Sequence, residues 1–507
     1  MGNFTERHAE KIAGVLSCFD RVVITGTLPE ICHARALEEH LRSQNIRLFD
    51  SPRWAEPFRE ELRANAERLA KEHGLEIDFI KRKDFRKEER IKAIVRKRGD
   101  HPGLVHIFSA MEPCPSFRPW HDKQSGQTFF KPTESKCLHY YFYFIDPALG
   151  LCYLRVPTWA PFRLQFYFNG HHELALKLKQ HRIAYQLAEN AFVSVSNFQR
   201  AQQLADDFDI RRLHSALDRF VRTYCPVIRH FRSKYHWSLM QVEYSTDVIF
   251  RRQVDFQPLY QALTYTAIHA VKPENVATFL GRKLSGNYQG ELGNDFHTRI
   301  EGTRIRHHMG PASLKLYDKL GLMLRIECTA NDVTFFKHHR NVEQRDGTRR
   351  FKLAPLKKSI YSLHDLRQLL ADANRRYLDF LGAIDDPGPG LNDLDKISRP
   401  THEGERSYRG FNLFHGDDLD LFQALLRGEF NISGFQAKTL RPLLLAPPRL
   451  SRHIKRLRTH GLIKKIGKRY KYYLTALGRR VAAAALKLRE LVLIPALIPP
   501  TPALHRS

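Results

Sequence analysis

The stretch SRHIKRLRTHGLIKKIGKRYKYYLT, residues 451–475, decides the fold of the carboxyl-terminal part of this chain. Leu450, Ile454 and Leu457 recur at the spacing of one helix face, and Gly461 is a typical helix stop. The segments LIKKIG and KRYKYYLT then flank a Gly-Lys turn, which indicates a β-hairpin. These patterns predict a helix that ends before Gly461 and is followed directly by a hairpin.

The same stretch carries charge of one sign. No Asp or Glu occurs from 449 to 480, whereas a solvated helix face normally mixes both signs. The cations that we predict to contact nucleic acid here are Arg449, Arg452, Lys455, Arg456, Arg458, Lys464, Lys465, Lys468, Arg469 and Lys471. The whole chain of 507 residues has 82 Lys and Arg against 54 Asp and Glu, a net charge of +28. We therefore expect double-stranded DNA as the partner, with an affinity that falls steeply with salt.

Further helical patterns surround this stretch, at 417–428, 433–445 and 476–491. Three helices followed by a basic hairpin is the element order of a winged helix-turn-helix domain. The pattern LxxxGLI followed by LTxxG resembles that of the MarR-type winged helix family. The matching residues are Leu457, Gly461, Leu462, Ile463, Leu474, Thr475 and Gly478.

That resemblance implies that helix 448–460 lies in the major groove and that Lys468 and Arg469 direct a wing toward a groove. It covers only about 417–491. MarR-type repressors are short, single-domain dimers, and this chain is far longer, so a ligand-sensing role does not follow. The Ala-rich helix 476–491 either pairs with a second copy, giving a homodimer, or packs on its own domain.

The rest of the chain predicts an α/β to α+β multidomain body. Strand and helix patterns alternate from RVVITGTL (21–28) to GLVHIFSAM (103–111), and a β-rich part follows. A Pro-, Gly- and Asp-rich stretch then indicates a linker. The predicted divisions are an α/β domain over 1–135, an α+β domain over 136–383, a linker over 384–408, the winged helix domain over 409–491 and a tail over 492–507.

The seven cysteines are scattered without a CxxC pair, which is typical of free thiols in a reducing compartment. The longest apolar tract, LVLIPALIPP, is about half the length of a membrane span and contains prolines. The chain start has no signal-peptide pattern. We expect a cytoplasmic protein that associates with the nucleoid and has no membrane partner.

Residues 285–337 form the densest polar section of the body, and the stretch 293–340 is the informative part for function. Strand alternation there predicts one apolar and one polar sheet face. The apolar face comprises Leu314, Leu316, Leu324 and Ile326. The polar face comprises Lys315, Tyr317, Lys319, Arg325 and Glu327, with Arg304 and Arg306 as further candidate nucleic-acid contacts. A face with a tyrosine, an acid and cations is able to bind a phosphodiester or to cleave it; a salt-bridged exposed hairpin is the alternative.

The string YDKLGLMLRIE (317–327) is similar to a YDK…LRxE element of phage and plasmid replication initiators. Those enzymes nick DNA through a tyrosine, with a metal held by an HUH histidine motif. The adjacent histidine pairs His171-His172 and His307-His308 do not form that motif, because neighbouring residues on a strand point to opposite faces. The resemblance implies a catalytic role for Tyr317.

Metal-dependent cleavage is a related hypothesis, since carboxylates that converge on Mg²⁺ or Mn²⁺ polarise a phosphate and activate water. Candidate catalytic acids beside Tyr317 are Glu327, Glu301 and Asp318. Glu243 and Asp247, four residues apart, are the candidate metal ligands. For each carboxylate, a surface ion pair is the alternative interpretation.

The sequence as a whole predicts a DNA-binding protein of mobile-element or replication type, with DNA nicking or strand transfer as its candidate activity. Two alternatives stay open. One is a transcriptional regulator whose large body binds a ligand or partner. The other is an RNA-binding protein, in which the aromatic residues of 139–172, interleaved with Arg163, stack bases.

Overall fold

The structure is a computed structural model that describes residues 2–82, 84–283, 292–299, 302–344, 346–385, 396–444, 450–466 and 470–497. It is a mixed α/β protein with a large mixed sheet. Contacts divide the chain into two compact units, each built from separate segments. Unit one comprises Met1–Val15, Ser245–Cys328 and Gln368–Ser507, and unit two comprises Leu16–Tyr244 and Thr329–Arg367.

Strands and helices alternate along the chain. The strands are β1 (Ile12–Thr27), β2 (Ile77–Phe79), β3 (Gly103–His121), β4 (Thr128–Asp146), β5 (Gly150–Pro157), β6 (Leu164–Asn169), β7 (Tyr185–Ala188), β8 (Ala191–Val195), β9 (His236–Phe250), β10 (Leu292–Arg299), β11 (Gly302–Met309), β12 (Ala312–Lys319), β13 (Met323–Ala330), β14 (Lys337–Glu343), β15 (Arg349–Pro355), β16 (Thr401–Glu403), β17 (Arg406–Tyr408), β18 (Ile463–Lys465) and β19 (Tyr472–Leu474). The helices are α1 (Gly2–Arg7), α2 (Ala34–Ser43), α3 (Ser51–Glu72), α4 (Lys87–Arg98), α5 (Gly170–Gln180), α6 (Phe198–Asp206), α7 (Ile210–Tyr224), α8 (Gln253–Ala270), α9 (Pro273–Phe279), α10 (Leu363–Asp385), α11 (Gly416–Leu425), α12 (Gly428–Ser433), α13 (Ala437–Leu440), α14 (Leu450–Thr459), α15 (Ala476–Leu486) and α16 (Ile494–Leu497).

The sheet of unit two has the strand order β9-β1-β6-β5-β4-β3-β2, in which β2 pairs with β3 in parallel. Its core is aromatic because inward positions of β4 meet α7: the rings of Phe144 and Phe220 lie 4.6 Å apart, and those of Phe142 and Tyr224 lie 4.9 Å apart. The strands β3 and β4 form one long hairpin. The predicted boundary at 135 falls inside β4, so it is not a domain boundary.

In unit one the strand order is β10-β11-β12-β13-β9. Strands β11 and β12 pair antiparallel, with Ile305 opposite Leu316 and Arg306 opposite Lys315. Side chains alternate between the two faces of these strands, so that Ile305 and Leu316 are buried while Arg306 and Lys315 are half-buried. The predicted alternation of β12 is thus confirmed.

The last part of unit one packs α11, α12, α14 and α15 around an apolar core that includes Phe422, Leu425, Leu457 and Val481. Strands β18 and β19 form the predicted hairpin. Backbone hydrogen bonds of 2.8 Å in both directions also join Phe435 to Tyr472, which adds an isolated β-bridge at the edge of that hairpin. The predicted helix and hairpin therefore occupy the expected residues.

Other elements differ from expectation. The predicted helix over 433–445 shortens to α13 and a 3₁₀ turn over Arg441–Leu443, since Pro442 lacks an N–H for an α-helical bond. The mostly helical segment predicted over 174–224 contains the hairpin β7–β8, which turns at Glu189 with φ of 55°. The undecided segment at 238–250 belongs to strand β9. The predicted linker over 384–408 contains the hairpin β16–β17.

The seven cysteines are free thiols, and all but Cys32 are buried. Within the described ranges, no helix combines the length and the apolar character needed to cross a bilayer.

Candidate functional site

The apolar stripe that the sequence predicts packs helix α14 against the core of its domain. Leu450, Ile454 and Leu457 are 2%, 6% and 0% exposed, while Arg452 on the opposite face is exposed. Burying three aliphatic side chains contributes roughly 1.5–3 kcal/mol for each, which holds the helix against its domain. The charged face of α14 is therefore left for solvent or a partner.

The residues of the LTxxG motif join α15 to the end of α14. The Thr475 hydroxyl accepts from the Gly478 N–H at 3.0 Å, as an N-cap, and donates to the carbonyl of Gly461 at 2.6 Å. A Cβ at Gly478 would lie 1.9 Å from the carbonyl oxygen of Leu462, so only glycine fits there. The motif thus has a packing role, whatever the domain binds.

Arg456 does not belong to the exposed charged face, contrary to the prediction. It is 4% exposed, and its guanidinium donates to the two carboxylate oxygens of Asp418 at 2.6 and 2.9 Å. It also donates to the carbonyls of Arg409 and Gly410 and lies 3.8 Å from the centre of the Phe411 ring. With its donors used inside the protein, Arg456 supports the domain and is not available to a phosphate.

Two other predicted contacts, Lys455 and Arg458, share one acidic partner. The carboxylate of Glu403, on β16, accepts from Lys455 at 2.5 Å, Arg458 at 2.9 Å and the Thr459 hydroxyl at 2.7 Å. Hydrogen bonds from Lys455 and then Thr459 lower the pKa of Glu403 to about 2. The hairpin β16–β17 therefore places a fixed negative charge on the basic face of α14.

The remaining cations of this face differ in exposure. Arg452, Lys464 and Lys465 are exposed, and the Lys465 ammonium lies 4.2 Å from the centre of the Tyr470 ring. Lys471 is half-buried against Tyr473. The predicted contacts Arg449, Lys468 and Arg469 lie outside the described residues. We call the exposed residues Arg452, Arg458, Lys464 and Lys465, together with the half-buried Lys455, the basic surface.

The predicted polar face of β12 and β13 brings Tyr317 and Glu327 together. The Tyr317 hydroxyl donates to Oε2 of Glu327 at 3.0 Å, and the Lys315 ammonium pairs with the other carboxylate oxygen. Tyr317 and Lys315 are half-buried, and Glu327 is 3% exposed. We call these three residues the tyrosine–carboxylate cluster; Arg306, opposite Lys315 in the register, extends its positive side.

Arg325 was expected on this polar face but is fully buried. It donates to both carboxylate oxygens of Asp247, at 2.6 and 2.7 Å. That pairing contradicts the prediction of Asp247 as a metal ligand, because both oxygens already accept from a guanidinium. The alternative interpretation, an ion pair, is correct for Asp247, although the pair is buried and not at the surface.

Other predicted site residues have separate roles. Asp318 is buried in the β12–β13 turn, where it accepts from the Gly321 N–H at 2.9 Å and from Gln257 at 3.3 Å. Arg304 and Arg306 lie two residues apart on β11 and therefore on one face. Glu301 lies outside the described residues.

In unit two, the predicted metal ligand Glu243 has a neighbour that the sequence did not single out. A carboxylate oxygen of Asp20, on β1, lies within 4.8 Å of one from Glu243. Asp20 is buried and accepts from the side-chain amides of Asn169 at 3.1 Å and Asn190 at 2.7 Å. Mg²⁺ or Mn²⁺ as a cofactor stays a prediction. The sequence feature that could have indicated Asp20 is its position directly before the β-branched run RVVITGT.

The chain was compared with protein-family models, with curated proteins and with solved structures, and none of them matches it.

Proposed function

We propose that this protein binds double-stranded DNA through the basic surface of a C-terminal winged helix domain. One observation carries the proposal: α14 buries its aliphatic stripe and presents cations on its other face, next to a hairpin with two further exposed lysines. A helix with side chains is about 10–12 Å wide, which matches the roughly 12 Å of the DNA major groove. The order of α11, α13, α14 and the hairpin, with Phe435 paired to Tyr472, supports the same interpretation.

Charge reversal on the basic surface tests this proposal. Arg452→Glu and the double variant Lys464→Glu/Lys465→Glu are expected to weaken binding to a short duplex by about tenfold or more. With each lost phosphate contact, fewer counterions are released from the DNA, and that release favours binding. Fluorescence anisotropy over a series of salt concentrations measures both effects: the slope of log affinity against log salt should fall by about 0.9 for each lost contact.

The matched control is Lys71→Glu, an exposed cation on α3 of unit two. It should leave duplex affinity within about twofold, since general attraction at long range is screened by salt. Equal losses in Lys71→Glu and Arg452→Glu would show that net charge alone drives binding, and would overturn the proposed interface.

Glu403 is expected to oppose DNA binding. It neutralises Lys455 and Arg458, which a phosphate would otherwise contact, so DNA has to displace it. Because these ion pairs are exposed, solvent screens them and DNA displaces them at little cost, so Glu403→Gln should raise duplex affinity by roughly two- to tenfold. The same anisotropy titration measures it. Glu405→Gln, on the same hairpin, is the control, and a loss of affinity in Glu403→Gln would contradict the expectation.

The tyrosine–carboxylate cluster favours a second candidate function, DNA nicking or strand transfer as in mobile-element and replication proteins. A hydroxyl within hydrogen-bond distance of a buried carboxylate is the arrangement of an activated nucleophile. Oη of Tyr317 would attack the phosphorus while its proton passes to Glu327. A bond forms between phosphorus and Tyr317, the bond to one sugar oxygen breaks, and that oxygen takes a proton from solvent.

Supercoiled plasmid tests this activity, in Mg²⁺ or Mn²⁺ and at physiological salt. Conversion to open circles, together with a covalent protein–DNA adduct, would support a tyrosine nucleophile. Tight duplex binding with intact plasmid in either metal would leave the transcriptional regulator as the better interpretation of the body.

A further inference from the structure

A groove in unit two, apart from the basic surface and the tyrosine–carboxylate cluster, is formed by two cavities. The volumes are about 640 Å³ and 310 Å³, and Trp159 lines both of them. Trp54 and Phe117 line the larger cavity, to which both strands of the hairpin β3–β4 contribute residues. We call this feature, with Arg118, Lys136 and Arg163, the Trp159 groove.

The charge of the Trp159 groove is of one sign. Its described lining contains arginines and a lysine but no Asp or Glu. Two of these cations already have an acidic partner, Arg59 in an exposed pair with Glu56 and Arg155 in a half-buried pair with Glu112. Arg118, Lys136 and Arg163 are exposed, and among the described residues they have no acidic partner. An anionic ligand therefore complements this lining.

The groove also presents aromatic rings that are not buried in the hydrophobic core. Trp159 is half-exposed and, within the described part of the chain, its ring has no aromatic or cationic partner. Trp54 is held by edge contacts, with its ring centre 5.6 Å from that of His40 and 5.1 Å from that of Phe58. The phenylalanines that follow Trp159 are different: Phe162, Phe166 and Phe168 are completely buried.

The segment that carries Trp159 is firmly anchored. The N–H and the hydroxyl of Thr158 both donate to the carbonyl of Leu138 at 2.9 Å. The N–H of Phe162 donates to the carbonyl of Trp159 at 3.0 Å, and the Tyr235 hydroxyl donates to the carbonyl of Phe162 at 2.9 Å. A backbone anchored in this way presents the side chain of Trp159 without a large loss of backbone conformational entropy on binding.

Exposed methionines border the same groove. Met111 is 53% exposed on the larger cavity and Met240 is 51% exposed on the smaller one. The soft, flexible side chain of methionine packs well against flat rings. Flat apolar ligand groups next to negative charge would complement both the aromatic and the cationic parts of the groove.

We infer that the Trp159 groove binds single-stranded DNA, with bases stacked on Trp159 and phosphates paired with Arg163, Arg118 and Lys136. Bases in a duplex are already stacked on one another, whereas a single strand offers free base faces and a flexible phosphate chain. The inference rests on the proposed DNA function and extends it, because a protein that opens or nicks a duplex has to hold the strand that is released.

A fluorescein-labelled oligothymidylate, titrated by anisotropy against the full chain, tests the inference. Trp159→Ala and Arg163→Glu are each expected to lower single-strand affinity by about tenfold, the effect typical of one lost stacking or phosphate contact. Trp159→Phe should retain most of the affinity, which separates stacking from damage to the fold. Arg96→Glu, an exposed cation on α4, is the control and should change the affinity by less than about twofold.

The same proteins titrated with duplex separate this inference from the proposed function. Trp159→Ala should leave duplex affinity unchanged, and Arg452→Glu should lower duplex affinity while single-strand affinity stays the same. Unchanged single-strand affinity in both groove variants would overturn the inference even if duplex binding holds. A preference of tenfold or more for oligouridylate of equal length would overturn it in favour of RNA.

Discussion

Tyr317→Phe is expected to abolish plasmid nicking, with a loss of at least about 10³-fold, because the variant lacks the oxygen that would attack the phosphorus. Its fold should persist, because the Phe ring keeps the packing of Tyr317 while the variant lacks the hydroxyl that donates to Glu327 at 3.0 Å. Duplex affinity is expected to stay within about twofold, since the basic surface is untouched. Gel analysis of supercoiled plasmid measures the first quantity, and anisotropy measures the second.

Glu327→Gln separates the role of the base from that of the nucleophile. An amide keeps the shape of the carboxylate but does not accept the proton of Tyr317, so nicking should fall by about 10²–10⁴-fold. Tyr265→Phe, which removes the hydroxyl of an exposed tyrosine on α8 of the same unit, is the control and should nick normally. Full nicking by Tyr317→Phe would exclude this tyrosine as the nucleophile.

Asp418→Asn is expected to destabilise the C-terminal helical domain by about 3–5 kcal/mol. The substitution leaves the guanidinium of Arg456 buried without a counter-charge, and Asp418 is itself 1% exposed. Asp417→Asn, at the exposed neighbouring position, should have little effect. Amide hydrogen exchange on α14 measures the loss locally, and duplex affinity should fall in parallel.

The pH dependence of that stability has a definite sign. Burial alone raises the pKa of Asp418, but hydrogen bonds from Arg456 and from the Asn412 N–H outweigh it and hold the pKa below its ordinary value of 3.8. The contribution of Asp418 is therefore fully present above pH 3.8 and is lost as the pH falls below it. The exchange difference between Asp418→Asn and the unsubstituted protein should shrink in that acidic range; a difference independent of pH would contradict the ion pair.

Short-range patterns predicted much of what the structure shows. Helix α14 and strand β12 follow from the spacing of their apolar residues, because one face of each is buried and the period of the element selects that face. The same spacing placed Tyr317 and Lys315 on one side of β12. Glu327 lies beside Tyr317 and Lys315 because β13 follows β12 after a short turn and pairs with it.

Longer-range partners were not predictable from spacing. Arg456 and Arg458 look alike in the sequence, yet only Arg456 meets a buried acid, Asp418, which precedes it by 38 residues. Arg325 likewise meets Asp247, 78 residues earlier. A cation on a predicted outer face is buried whenever the fold brings an acid to it, and no local pattern shows where that acid lies.

The residues of the Trp159 groove were also not predictable from sequence patterns. Trp159 and Phe162 are close neighbours in one aromatic run, and only the structure separates the half-buried ring of Trp159 from the fully buried ring of Phe162. The charge of the groove depends equally on which acids are absent from its lining. Such an absence is a property of the surface and not of any stretch of sequence.

The discontinuous make-up of the two units has a consequence for how the chain matures on the ribosome. Met1–Val15 belongs with Ser245–Cys328 and Gln368–Ser507, so its partners are synthesised only after Leu16–Tyr244, the larger part of unit two. Translation adds about 5–20 residues per second, which leaves the amino-terminal segment without its partners for more than ten seconds. Over that interval its apolar residues, such as Phe4 and Ile12, lack the contacts that bury them in the folded protein, and so they are exposed to aggregation.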